Sequence, residues 1–138
     1  MLNLFNKKTK VILDTNFLFI PGDAGVDIFT EIQRIMLESY ELCVMESTIN
    51  ELENIISNTG KQKQGLNAKL GLILIKQKNL KTLASSSNHY ADQSILDYAA
   101  KNPEKTIVAT QDKDLKQKLK KIPVRIITLR QKKYLEMG

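Results

Sequence analysis

Short β-branched runs alternating with segments of helical apolar spacing predict an α/β domain with a largely parallel sheet and helices on both faces. Two observations carry that expectation. The alternation is sustained from residue 10 to residue 129, with no internal repeat. The chain is also of single-domain size: its 138 residues, 42% hydrophobic and 26% charged, can bury a core and are too apolar to stay disordered. We therefore read 1–138 as one domain with a basic C-terminal segment at 113–138.

The elements follow in order. Residues 10–13 read as a buried strand ending at Asp14-Thr15-Asn16, and Pro21-Gly22-Asp23 as a break. Ile28, Phe29, Ile32, Ile35 and Met36 then recur at helical spacing. Residues 42–45 form a second strand. Ser47-Thr48 leads into a helix that carries Ile49, Leu52, Ile55 and Ile56 on one side and stops at Asn58-Thr59-Gly60. A polar, basic stretch at 61–65 precedes a third helix with Leu66, Leu70, Ile73 and Leu74 as its apolar face. Residues 80–84 give a short strand and 85–88 a loop. Ile95, Leu96 and Ala99 mark the inner face of a helix that Asn102-Pro103 ends. A strand at 106–110, a strongly basic helix at 113–121 and a last strand at 124–129 complete the reading.

The net charge of +6 is unevenly placed. Residues 1–112 hold 12 Lys+Arg against 13 Asp+Glu, whereas 113–138 hold 9 against 2. A polyanion is the obvious partner for such a field, although a solvated helix face would look the same. Cys43, the only cysteine, excludes an intrachain disulfide and a cysteine metal cluster, and reads as a small buried hydrophobe in a reducing compartment. His89, the only histidine, excludes His-zinc clusters and a His-pair ribonuclease, and reads as structural. No apolar run reaches the roughly 20 residues of a membrane span or the length of a signal peptide, so the expectation is a cytoplasmic protein without a membrane partner. A Gly-rich phosphate loop is missing, and Asp14-Thr15-Asn16 lacks the second aspartate of a haloacid-dehalogenase phosphatase.

Ligands of parallel α/β sheets bind at the carboxyl ends of the strands. Asp14, Glu51 and Asp112 fall on that edge, and Asp92 precedes Ile95, Leu96 and Ala99 at spacings that turn it toward the core. Asp97 is rotated away, toward solvent. Each acid has a bland alternative. Glu51 stands three residues after Thr48, as in a capping box, and Asp112 could cap the basic helix. Asp14 could make an Asx turn, and Asp92 could complement a helix dipole. Clustered carboxylates become tolerable when a hard divalent ion neutralises them. Such an ion activates water toward a phosphodiester.

Four motifs occur in sequence: VILDTNFL (11–18), STINEL (47–52), YADQSIL (90–96) and IVATQDKDLK (107–116). Together they resemble the PIN nuclease family over nearly the whole chain. GVDIF (25–29) and residues 115–127, with KKIP, resemble more narrowly the rRNA-processing PIN proteins of the small-subunit processome and their archaeal relatives. The resemblance implies a three-layer PIN domain with a mainly parallel sheet, and a Mg²⁺- or Mn²⁺-dependent endoribonuclease acting on RNA, pre-rRNA included. It puts Asp14, Glu51, Asp92 and Asp112 in the acidic metal site, with Asn16 and Thr110 as supporting polar groups. Gln93 departs from the pattern, standing where many relatives have a second aspartate, and Asp114 is a candidate substitute. Lys116, Lys120 and Lys121 are the candidate RNA contacts. Two other readings remain open: an RNA-binding assembly factor with a weak or silent site, and a PIN toxin of a toxin–antitoxin pair. So does a homodimer.

Overall fold

The computed structural model describes residues 8–85 and 90–138. The reading of His89 and most of the 85–88 loop lies outside them. Among the described residues six strands form one sheet: β1 Thr9–Leu13, β2 Tyr40–Met45, β3 Lys81–Leu83, β4 Thr106–Ala109, β5 Arg125–Arg130 and β6 Tyr134–Met137, in the order β3-β2-β1-β4-β5-β6. All pairs are parallel except β5–β6. The helices are α1 Ile20–Ala24, α2 Ile28–Ile35, α3 Glu46–Thr59, α4 Lys63–Gln77, α5 Ala91–Lys101 and α6 Lys113–Leu119, with 3₁₀ turns at Thr15–Phe19 and Pro103–Lys105.

Strand residues alternate between two cores because successive side chains point to opposite faces. Val11, Leu13, Val44, Ile107, Ala109 and Ile127 pack on one side with Phe17, Leu18, Ile28, Phe29, Ile32, Leu52 and Ile75 from the 3₁₀ turn and α2–α4. Ile12, Cys43, Met45, Val108 and Ile126 pack on the other with Ile95, Ala99, Leu115 and Leu119 from α5 and α6. This gives the expected three layers. Burial pushes the Cys43 thiol up to about 11, as suits an inert core residue. Among the described residues no helix is long and apolar enough to cross a membrane.

Several element boundaries differ from expectation. Pro21-Gly22-Asp23 does not break the chain but lies in α1, where proline fits the first turn. The reversal comes at Gly25, whose φ of 67° is left-handed. Helix α3 starts at Glu46, so Ser47 and Thr48 lie within its first turn and Thr48 is not the cap of a capping box. Helix α4 starts at Lys63 and its buried face is rotated: Gly65, Ala68, Gly71 and Ile75 are inside, while Leu66 and Ile73 are 55% and 44% exposed. Small residues let α4 approach closely. A Cβ at Gly71 would stand 3.4 Å from Leu18 Cβ and 3.7 Å from Leu52 Cδ1. Residues 124–129 are not the last strand, since β6 returns antiparallel along β5.

Candidate active site

From β1 the chain builds outward through β2 and β3 on one side, and through β4, β5 and β6 on the other. The crevice at the carboxyl ends of β1 and β4 is therefore the topological switch point of an open α/β sheet. Asp14 and Thr110 stand there, each directly after its strand. The Asp14 N–H donates to the Ala109 carbonyl at 2.9 Å and the Thr110 N–H to the Ile127 carbonyl at 3.1 Å, so the sheet itself fixes both residues.

Asp14 is only 5% exposed. Its Oδ1 accepts from the Thr15 N–H at 2.8 Å and its Oδ2 from the Thr110 hydroxyl at 2.7 Å. The same Thr110 oxygen accepts from the Asp112 N–H at 3.0 Å, tying Asp14 to the start of α6. Asp112 caps that helix through the Leu115 N–H at 3.1 Å. On the other flank the Thr15 hydroxyl donates to Glu51 Oε1 at 2.8 Å and lies 3.2 Å from the Thr48 hydroxyl. Glu51 Oε2 accepts from the N–H of Ala91, the first residue of α5, at 2.8 Å. Asp14, Glu51 and Asp112 thus belong to one hydrogen-bonded network. Burial pushes the Asp14 carboxyl up to about 6 against the two hydrogen bonds that favour its charge, and the negative charges of Asp112 and Glu51 add to the rise.

Asp92 is placed differently. It sits in the first turn of α5, partly exposed instead of turned into the core, and accepts from the Gln93 N–H at 2.8 Å. The capping of Ala91 by Glu51 puts it one residue from the network. Gln93 is exposed and its Nε2 donates to Asp97 Oδ1 at 2.9 Å, so Asp97 is paired and partly buried rather than simply facing solvent. Among the described residues no three Asp, Glu, His or Cys side chains are disposed to hold one ion, so the four carboxylates do not form a ready-made cage. The donor chemistry nevertheless suits a hard divalent cation. All the groups are oxygens, and Asp14 is a buried carboxylate that its neighbours repel. Mg²⁺ commonly uses only one or two carboxylates and completes its shell with water and substrate phosphate.

Asn16 is exposed and lines a cleft of about 380 Å³ with Phe19, Asp23, Lys63, Gln64 and Asn67. Asp114 is exposed in the first turn of α6. Lys116 is partly buried; burial lowers its pKa, and so do the nearby charges of Arg130, Lys120 and Lys113. Lys120 and Lys121 are exposed at the end of α6 opposite Asp112, about 10 Å along a seven-residue helix. Two basic residues of the segment are engaged elsewhere. Arg125 makes a two-pronged pair with Glu38, both bonds 2.8 Å, and Arg130 donates to Glu136 at 2.6 Å. Sequence reasoning missed Thr15, whose hydroxyl reaches 36 residues along the chain to Glu51, and the hydroxyl cluster of Ser47, Ser85 and Ser94 that joins α3 to α5. Thr15 was visible as the middle of Asp14-Thr15-Asn16, but its distant partner was not.

The PIN like domain family model matches residues 11–132. Ribonuclease VapC4 of Methanocaldococcus jannaschii is 37% identical over 131 residues, covering 93% of this chain and 95% of that protein. The rRNA-processing protein fcf1 of Schizosaccharomyces pombe is 28% identical over 114 residues, covering 82% of this chain but only 54% of the relative. Among solved structures, the PIN domain endonuclease Utp24 superposes with a TM-score of 0.78 at 24% identity, covering 94% of this chain and 90% of that one. VapBC2 from Rickettsia felis, bound to a DNA fragment from its promoter, gives 0.61 at 15%, covering 88% and 99%. The two structures speak for the fold. With a family match across nearly all of its length and a full-length relative at 37% identity, this chain belongs to the PIN like domain family.

Proposed function

We propose that this chain is a Mg²⁺- or Mn²⁺-dependent endoribonuclease that hydrolyses RNA phosphodiester bonds in rRNA processing or ribosome assembly. The observation that carries the reading is Asp14: a carboxylate held at the sheet's switch point, 5% exposed and raised to about 6, with the charges of Asp112 and Glu51 close enough to add to the rise. Ribonuclease VapC4 supports the reaction class and fcf1 the rRNA role. In this reading Asp14 would hold the cation together with Glu51 or Asp112, and Asp92 would assist through bound water. When bound there, a divalent cation would lower the pKa of a water and offset the phosphate's charge. Thr110 and Thr15 fix the carboxylate oxygens, and Asn16 and Asp114 flank the site. The basic face of α6, with Lys116, Lys120 and Lys121, meets the RNA backbone at a distance from the acids.

Gln93 keeps a second reading in play, that of an RNA-binding assembly factor with a weak site, because it offers an amide where a carboxylate would bind metal. A toxin ribonuclease is not separated by chain length, since VapC4 matches over nearly its whole length. The test is incubation of the full chain with pre-rRNA fragments and unrelated RNAs in Mn²⁺, Mg²⁺ or EDTA, with Asp14→Asn alongside. Metal-dependent cleavage preferring pre-rRNA and lost in Asp14→Asn is the expected result. Binding without cleavage would replace the enzyme by the assembly factor, and indiscriminate cleavage would remove the rRNA role.

A further inference from the structure

The sheet does not end level with the acids. Leu13 pairs with Ala109 and Ala109 with Ile127, whereas β5 continues to Arg130, with β6 beside it and Tyr134 opposite Arg130. With a rise of about 3.3 Å per residue and about 4.8 Å between strands, the end of β5 stands about 10 Å beyond the last residue of β1 and about 10 Å to its side. The hairpin tip is therefore a raised wall beside the switch-point crevice.

Its turn has an unusual composition. Gln131, Lys132 and Lys133 are exposed, and the Lys133 N–H donates to the Arg130 carbonyl at 2.9 Å, closing the turn. Both central residues are left-handed, Gln131 at φ 52° and Lys132 at φ 54°. Hairpin turns of this hand favour Asn-Gly or Gly-Gly, because a Cβ is strained there. Two long side chains are thus held in a conformation they disfavour, and such strain tends to collect at functional positions. Two consecutive lysines project from the tip. Helix α6, which begins beside Asp112, carries Lys113 and Lys116 three residues apart on one face, and Arg130 at the end of β5 is near enough to Lys116 to help lower its pKa.

We propose that the β5–β6 hairpin tip grips the phosphates of a single RNA strand through Lys132 and Lys133, continuing the basic face of Lys113 and Lys116 away from the acids. This rests on the ribonuclease reading and adds where the strand runs. The competing role for the lysines is to blunt the sheet edge against self-association, because β6 is an edge strand.

The test titrates the full chain with single-stranded RNA over a range of salt in EDTA, with wild-type cleavage in Mn²⁺ assayed in parallel. Lys132→Gln with Lys133→Gln should weaken binding and make the log–log salt slope shallower by up to about 0.7 per lost contact. Gln131→Asn, which relieves strain without removing charge, should raise the melting temperature and keep the slope. Unchanged affinity and slope in the double variant would overturn the proposal, and self-association of that variant would then assign the lysines to edge protection. Wild-type cleavage alongside an unchanged slope removes only the tip. A shallower slope without wild-type cleavage keeps the tip and removes the nuclease. A wild type that neither binds nor cleaves RNA removes both.

Discussion

Replacing Asp14 by asparagine should stabilise the metal-free protein, and the size of the effect follows from the site. The Asp14 carboxyl rises from an ordinary 3.8 to about 6. At 1.36 kcal/mol per unit, the ionised group therefore costs the fold about 3 kcal/mol above pH 6. Asparagine removes that cost but disturbs one hydrogen bond. Its oxygen can keep the Thr15 N–H, but its NH₂ meets a Thr110 oxygen that already accepts from Asp112. Taking about 1 kcal/mol for that mismatch leaves a net gain of about 2 kcal/mol, or roughly 6–8 °C in melting temperature for a chain of this size.

The pH dependence gives the prediction its sign. A carboxyl whose folded pKa lies above its unfolded value binds its proton more tightly in the folded state. The associated stability is fully present below about 3.8 and is lost as pH rises through about 6. The advantage of Asp14→Asn should thus be largest at pH 8 and mostly gone at pH 4.5. Thermal unfolding in EDTA across that range measures it. Mn²⁺ at about 100 times its dissociation constant should add about 2.7 kcal/mol to the wild type and less to the variant. If Asp14→Asn is no more stable than wild type at pH 8, or if its advantage does not shrink on acidification, the picture of a repelled, desolvated carboxylate is wrong.

Thr110→Val removes the hydroxyl shared by Asp14 and the Asp112 N–H and should destabilise by about 1–3 kcal/mol in denaturant unfolding; a neutral result would mean that water replaces it. Gly65→Ala should destabilise by about 1–3 kcal/mol because its Cβ would strike the Gly60 carbonyl, whereas Gly71→Ala, with 3.4 Å to Leu18 Cβ, should stay within about 1 kcal/mol as helix propensity offsets the tight contact; equal effects on thermal stability would contradict the packing described. Neutralising Lys116, Lys120 and Lys121 together should weaken binding to unrelated RNAs alike and make the salt slope shallower by up to about 0.7 per lost contact, with sequence preference retained; unchanged titrations would make these lysines a solvated face.

The central strands β1 and β4 were legible because nearly all their residues are buried on both faces, which makes short runs such as Val11, Ile12 and Leu13 continuously apolar. Strand β6 was not, because an edge strand of four residues with Leu135 as its one fully buried side chain offers too little alternation, and its partner is fixed by the turn before it. The face of α4 misled for another reason. Large apolar residues mark a helix's inner face only when the neighbour stands a side chain away; where Gly65, Ala68 and Gly71 admit close contact, Leu66 and Ile73 are turned outward.

At the site, the sequence placed acids on an edge but could not choose between caps and ligands, and the geometry explains why that choice was ill-posed. Asp112 does cap α6, and Glu51 caps α5, a different helix from the one its spacing after Thr48 suggested. Both still belong to the network of Asp14. Among the described residues, the donors to these three carboxylates are backbone N–H groups and threonine hydroxyls. Neutral donors of this kind orient a carboxylate without discharging it, as a lysine or arginine partner would. Capping therefore fixes the oxygens without supplying a countercharge, and at Asp14, where burial raises the carboxyl to about 6, the uncompensated charge is the most costly to keep. On the proposed reading, that uncompensated charge is what a divalent cation and the phosphate it brings would meet, so the cap and the ligand are two uses of one side chain.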